Sequence, residues 1–376
     1  MKNFFNSFTK YMSFRRFNLA IISLLTAGIV QAQSLYPFLQ TEIQGNNTEL
    51  QAAAHSCESA KADNMSGLTL ANPEVGVSYM LGVPSDVPDK TNIEVSQSFD
   101  FPTLSGARKR VAEAESRMAD AGYMAVRSAL AADIENALID YTYAYLKVRE
   151  LEACAAAPAP GTDKEAIMAN LSVQDELDMA RLELSSARAL LTRLNGGKPL
   201  AGLPAEWPET TLPASLEEWT AQAATVNPAL LTLQSELTRA QEEVRLRKQE
   251  GLPEFSVGYA NELVKGANYH GATLCFSLPL WGNHGRVKAA KAQRASAEMA
   301  LQAAQDNFAL SVRADYERAH TLHGIYERSR KALNEAASLL GISDLASPEL
   351  SELRLRTLKA AHEFYLARTA LYAPVL

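Results

Sequence analysis

The chain has 376 residues, with 36 Lys and Arg against 43 Asp and Glu, and 47% of it is apolar. That is enough to build a core and excludes wholesale disorder. The net charge of −7 gives no support to a nucleic-acid role, for which a basic domain is expected. Three cysteines are too few for a disulfide scaffold and match no zinc spacing. No apolar run reaches the roughly 18 residues of a transmembrane helix. No Ser–His–Asp set, phosphate-binding loop or H-E-x-x-H motif is present, so the pattern is not that of an enzyme, and no cofactor is expected.

Residues 1–32 have the layout of a secretory signal peptide. Lys2, Lys10, Arg15 and Arg16 form a basic leader, residues 19–30 are apolar, and Val30-Gln31-Ala32 is a small-x-small cleavage pattern. Export places the cysteines in an oxidising compartment, where Cys57 and Cys154 either pair or stand as lone thiols.

Beyond the leader the chain repeats itself. A shift of 180 positions sets Asn47 on Asn227, Ala60 on Ala240, Pro73-Glu74 on Pro253-Glu254, Val77 on Val257 and Tyr79 on Tyr259. After small length changes Arg110-Val111 meets Arg286-Val287. Matched punctuation in the same order indicates a duplicated unit. The first repeat is 33–197, with strands over 74–82 and 93–101 and a helical hairpin over 106–197. The Pro-rich stretch 198–214 connects it to the second repeat, 215–376, with strands over 254–262 and 271–279 and a hairpin over 284–376.

Each repeat predicts helix, strand, strand, long helix, returning helix. Asn47 and Asn227 are placed to cap the helices that precede the strands, and Pro228 suits a first helical position. The strands alternate bulky apolar residues with small polar ones: Val75, Val77 and Tyr79 with Gly76 and Ser78; Ile93, Val95 and Phe99 with Glu94, Ser96 and Ser98. Phe255, Val257 and Tyr259 alternate with Ser256 and Gly258, and Leu274 and Phe276 with Thr273, Cys275 and Ser277. Period two is the strand signal. A lipid-facing barrel strand and a soluble sandwich strand share this alternation; export, and the lack of any other β pattern to pack against, favour the barrel. Four strands cannot close one, and an open edge in lipid leaves backbone groups unpaired, so several copies must combine. The Ala-rich helices that follow run for roughly 70–85 Å at 1.5 Å per residue.

The ordered set resembles the TolC family of outer-membrane efflux ducts over about residues 35–376. The segments that carry it are Val226-Asn227-Pro228-Ala229-Leu230, Leu252-Pro253-Glu254-Phe255-Ser256-Val257-Gly258, and Phe276-Ser277-Leu278-Pro279-Leu280-Trp281-Gly282 followed by Gly285-Arg286. Gln97-Ser98-Phe99-Asp100-Phe101-Pro102, with the basic run Arg108-Lys109-Arg110, is most similar to the CzcC-like cation-efflux branch. The resemblance implies an α+β membrane protein: a homotrimeric twelve-stranded outer-membrane β-barrel continued by a periplasmic α-helical barrel. It also implies a periplasmic adaptor and an inner-membrane pump as partners, and a passive role without catalysis. The hairpins are short for the family. The alternative function is a periplasmic coiled-coil structural protein without a pore.

Several residues are candidate sites. Glu317, His320, His323 and Glu327 fall within roughly a 120° arc of one helix and offer ligands for a divalent metal; a solvated helix face is the competing account. Asp163 and Asp344 lie at the hairpin turns, where acidic rings select cations in pores, although turn chemistry already explains them. Glu94, Ser96, Asp100 and Ser277 lie on the polar strand side and are candidates to line a lumen. Tyr79, Trp281, Arg108 and Arg286 stand near strand ends as interface anchors.

Overall fold

The computed structural model describes residues 34–84, 86–156, 164–277, 283–340 and 348–376. The signal peptide over 1–32, both hairpin turns with Asp163 and Asp344, and Trp281 lie outside these residues.

The duplication is visible in the element order. The first repeat has α1 (Pro37–Asn46), α2 (Thr48–Ser66), β1 (Glu74–Met80), β2 (Lys90–Phe99), α3 (Pro102–Ala156) and α4 (Lys164–Leu194). The second has α5 (Leu216–Val226), α6 (Pro228–Gln249), β3 (Glu254–Val264), β4 (Ala267–Ser277), α7 (Asn283–Leu340) and α8 (Pro348–Tyr372), then a 3-10 turn over Ala373–Val375. Two helices, not one, precede each strand pair. The break between them falls at Asn47 and Asn227, with φ/ψ of −70°/118° and −60°/118°. The Asn47 carboxamide oxygen accepts the Leu50 N–H at 2.8 Å, which is the expected cap. The long helices α3 and α7 have 55 and 58 residues. Helix α3 starts at Pro102, ahead of the expected Gly106, because proline lacks only an N–H that the first turn leaves unpaired anyway.

The strands form one antiparallel sheet in the order β1-β2-β3-β4. Their limits differ from the expected 74–82, 93–101, 254–262 and 271–279. Strand β1 stops at Met80 because the Asp89 carboxylate takes the Gly82 N–H at 2.9 Å and folds the loop back. Strand β2 begins at Lys90, paired with Met80 and Val264, and ends at Phe99. Strands β3 and β4 run to Val264 and from Ala267, which pair across the two-residue turn Lys265-Gly266. Gly266 sits at φ +86°, where a side chain would be strained. The residues around this turn do not alternate strictly, which is why periodicity alone ended both strands early.

The chain divides into two compact units, each considered by itself. One comprises the described part of Met1–Ala54 with Met124–Pro228 and Gln305–Leu376; the other comprises His55–Tyr123 and Ala229–Ala304. In the first, Ala131, Trp219, Ala223, Val312, Ala319, Ala367, Leu371 and Tyr372 form a core in which alanines let helices approach closely. A second cluster, Val148, Leu151, Leu177 and Ala180, joins α3 to α4. In the unit that holds the sheet, Leu104, Ala107 and Val111 of α3 pack on Leu246 of α6.

Candidate functional site

The sheet has two chemically distinct faces, fixed by its register. Pairing places Val75 beside Val95 and Val95 beside Tyr259, and Val257 beside Leu274. Val77, Ile93, Phe99, Phe255 and Phe276 share that face, and no Asp, Glu, Lys or Arg of the four strands does. Phe99 and Phe255 stack on each other and are half-buried, but the others are not covered by the rest of the chain: Val77 is 70% exposed and Phe276 64%. The opposite face carries Gly76, Ser78, Glu94, Ser96, Gly258, Ala260, Gly271, Thr273, Cys275 and Ser277. Strands β1 and β4 are the two edges of this sheet.

On the small face, a Cβ at Gly258 would stand 2.6 Å from the Thr273 hydroxyl and 2.8 Å from the Val95 carbonyl oxygen. With nothing between them, the Thr273 hydroxyl donates to the Glu94 carboxylate across β3, at 3.3 Å.

The unit without the sheet contains a buried ion pair. Glu135 of α3 is 0% exposed and Arg368 of α8 5%. Their charged groups stand 3.7 Å apart. Glu135 also accepts the Leu35 N–H and, at 3.2 Å, the Thr369 hydroxyl. Arg368 donates to Thr210 at 2.6 Å and lies 4.2 Å from the Tyr372 ring centre. Burial pushes the Glu135 carboxyl above its usual range, partly offset by the Leu35 N–H and Arg368. The Tyr36 hydroxyl, bonded to Thr142 at 3.4 Å, is pushed up to about 12 by burial.

The connection 198–214 is bound in the same unit. Carbonyls of Pro208, Thr211, Pro213 and Ala214 accept from Tyr365, Tyr372, His320 and Tyr316. Trp207 stacks on Tyr365, with ring centres 4.7 Å apart. An open cavity of about 840 Å³ lies beside this strap, walled by Trp207, Trp219, Tyr326, Phe364 and Arg330.

Two-faced sheet, duplicated units and paired long helices together match known channels. The open-state MtrE outer-membrane channel of Neisseria gonorrhoeae superposes with a TM-score of 0.69 at 18% identity, over 91% of this chain and 89% of that one. The outer-membrane protein VceC of Vibrio cholerae gives 0.68 at 14% identity, over 90% and 95%. CusC, described for its folding and transmembrane channel formation, gives 0.69 at 16% identity, over 90% and 91%. The chain has the TolC-type outer-membrane channel fold. No protein-family model and no curated protein sequence matches the chain.

Within the TolC-type fold the expected site residues take these places. Glu317 pairs with Arg313 at 3.0 Å and Glu327 with Arg330 at 3.2 Å. His320 donates to the Pro213 carbonyl at 3.1 Å, and His323 packs on Phe364 with ring centres 4.8 Å apart. Among the described residues no three His, Cys, Asp or Glu side chains gather as a metal site. Ser96 and Ser277 lie on the small face with Glu94, Ser96 facing Gly258 and Ser277 facing Glu254. Asp100 lies just past β2, paired with Arg108. The Tyr79 hydroxyl donates to Asp89 at 2.5 Å, and Arg286 reaches Glu250 at 3.9 Å. Cys57, Cys154 and Cys275 are free thiols. Sequence reasoning missed the Glu135–Arg368 pair; Asp133 and Asn136 flank Glu135, so nothing local marks it as buried.

Proposed function

We propose that the chain is the outer-membrane duct of a tripartite efflux system, exported by its signal peptide. Three copies would close a twelve-stranded barrel in the outer membrane and continue as a helical barrel in the periplasm. The duct is passive; an adaptor and an inner-membrane pump supply recognition and energy. Its cargo is metal cations or small toxic compounds, and the likeness of residues 97–110 to the cation-efflux branch favours metals.

The sheet carries this reading. A face of uncovered Val, Ile, Phe and Tyr is unfavourable in water and suited to lipid, with small polar residues turned to a lumen. The unpaired edges β1 and β4 then require strands from other copies, because lipid offers backbone groups no partner. No described helix is long and apolar enough to cross a membrane.

Membrane fractionation combined with unheated and heated gels tests the reading. The expected result is an outer-membrane protein that runs as a trimer until heated. Recovery as a soluble monomer would instead support the periplasmic coiled-coil alternative. Growth of a deletion strain on zinc, cobalt, cadmium, copper and silver, against bile salts, dyes and antibiotics, decides the cargo. Metal-only sensitivity, reversed by restoring the gene, is the expected outcome.

A further inference from the structure

We infer that Glu94 gives the duct a preference for cations, inorganic or amine, over anions. The inference rests on the barrel reading, since it needs the small face to line a lumen.

Every charged residue of the four strands lies on the small face: Glu74, Lys90, Glu94, Glu254 and Glu262. Lys90 is consumed by Glu262 at 2.7 Å, near the β3–β4 turn. Glu74 opens β1 and Glu254 opens β3, so both sit at strand ends. Asp100, past the end of β2, is neutralised by Arg108. Glu94 is therefore the one mid-strand charge, and no cation of the sheet pairs with it.

Its position is held. Gly258 and Ala260 raise no bulky side chain on the strand that Glu94 crosses, and Thr273 of β4 donates to its carboxylate at 3.3 Å. The carboxylate thus lies against the sheet at the middle of the strands, and threefold repetition would set three of them at one level. A ring of carboxylates in a low-dielectric wall concentrates cations and repels anions. Thr273 is a positioning residue in this scheme.

The test is the reversal potential of the purified full-length trimer in a planar bilayer under a potassium chloride gradient. Wild type should show a cation-selective potential. Glu94→Gln should move it toward zero, and Glu94→Lys should change its sign. Ser96→Lys, which sets an ammonium beside Glu94 on the same face, should also move it toward zero and decides the matter if the Glu94 variants fail to assemble. Glu74→Gln and Glu254→Gln should shift it less than Glu94→Gln. A wild-type channel with no cation preference overturns the inference, as does a Glu94→Gln channel that keeps the wild-type potential or, if the Glu94 variants fail to assemble, a Ser96→Lys channel that does. A purified trimer that conducts no current overturns the duct reading itself, a separate result from a channel whose selectivity ignores Glu94.

Discussion

The sheet and the packed helices around Glu135 solve opposite problems. In the sheet, valine and phenylalanine share one exposed face and charge is confined to the small one; Val77 is 70% exposed. In the unit without the sheet, a carboxylate and a guanidinium are sealed among alanine, isoleucine and tyrosine, with Glu135 0% exposed. The difference teaches that neither region is at its best as an isolated chain in plain water. The sheet leaves an apolar face exposed and two edge strands, whereas the ion pair holds its unit in one arrangement by joining the N-terminal segment, α3, α8 and the connection through Leu35, Thr369 and Thr210. Burying charge costs desolvation, so such a pair specifies geometry more than it adds stability.

The contrast can be broken at either end. Arg368→Ala leaves Glu135 buried without its partner and should cost about 3–5 kcal/mol, the largest effect here. Denaturant unfolding measures it. The double variant Glu135→Leu with Arg368→Met should recover most of the loss, since two apolar side chains need no partner. Recovery that fails would mean that the other contacts of Arg368 matter more than the charge.

In the sheet, adjacent positions should behave oppositely. Val95→Lys puts an ammonium on the apolar face and should cost about 2–4 kcal/mol at mid-membrane, seen as loss of heat-resistant trimer. Ser96→Lys, on the other face, should leave trimer yield near wild type. Equal outcomes at 95 and 96 would remove the distinction between the faces.

Gly258→Ala sharpens the account of the small face. The new methyl would meet the Val95 carbonyl oxygen at 2.8 Å, and backbone cannot move aside cheaply, so a loss of about 1–3 kcal/mol is expected. A trimer with wild-type heat resistance would show that the sheet yields there.

A smaller effect concerns pH. Burial raises the Glu135 carboxyl in the folded state above its ordinary value of 4.5. The folded chain then binds this proton more readily than the unfolded one. The group's contribution is full below the unfolded value and is lost as pH rises through the folded one. The stability of wild type relative to Glu135→Gln should therefore improve as pH falls from neutral toward 5, as unfolding midpoints at several pH values would report. The smallest effect is at the pair Arg110–Glu242, 3.0 Å apart, where Arg110 is exposed and Glu242 keeps Arg245 as a second partner, so Arg110→Ala should cost under about 1 kcal/mol.

The sequence by itself determined the duplication, the period-two strands, the long helices and Asn47 as a capping residue, but not that two helices precede each strand pair. All of these are local: a repeat spacing, an alternation or a capping residue acts within a few positions of the chain. The register was decided only by the tertiary structure. Pairing Ser96 with Gly258 and Gly258 with Thr273 gathers the small residues of three strands under Glu94, and no single strand encodes that alignment. The fate of the histidines was decided the same way. Helical spacing puts His320 and His323 on one arc; it says nothing of their partners, the Pro213 carbonyl that the connection 198–214 offers His320 and the Phe364 ring that meets His323. The Glu135–Arg368 pair joins residues 233 positions apart, a distance over which periodicity carries no information. Such contacts form because a buried charge must find its partner wherever the packed helices bring one, and that requirement is satisfied only in the assembled fold.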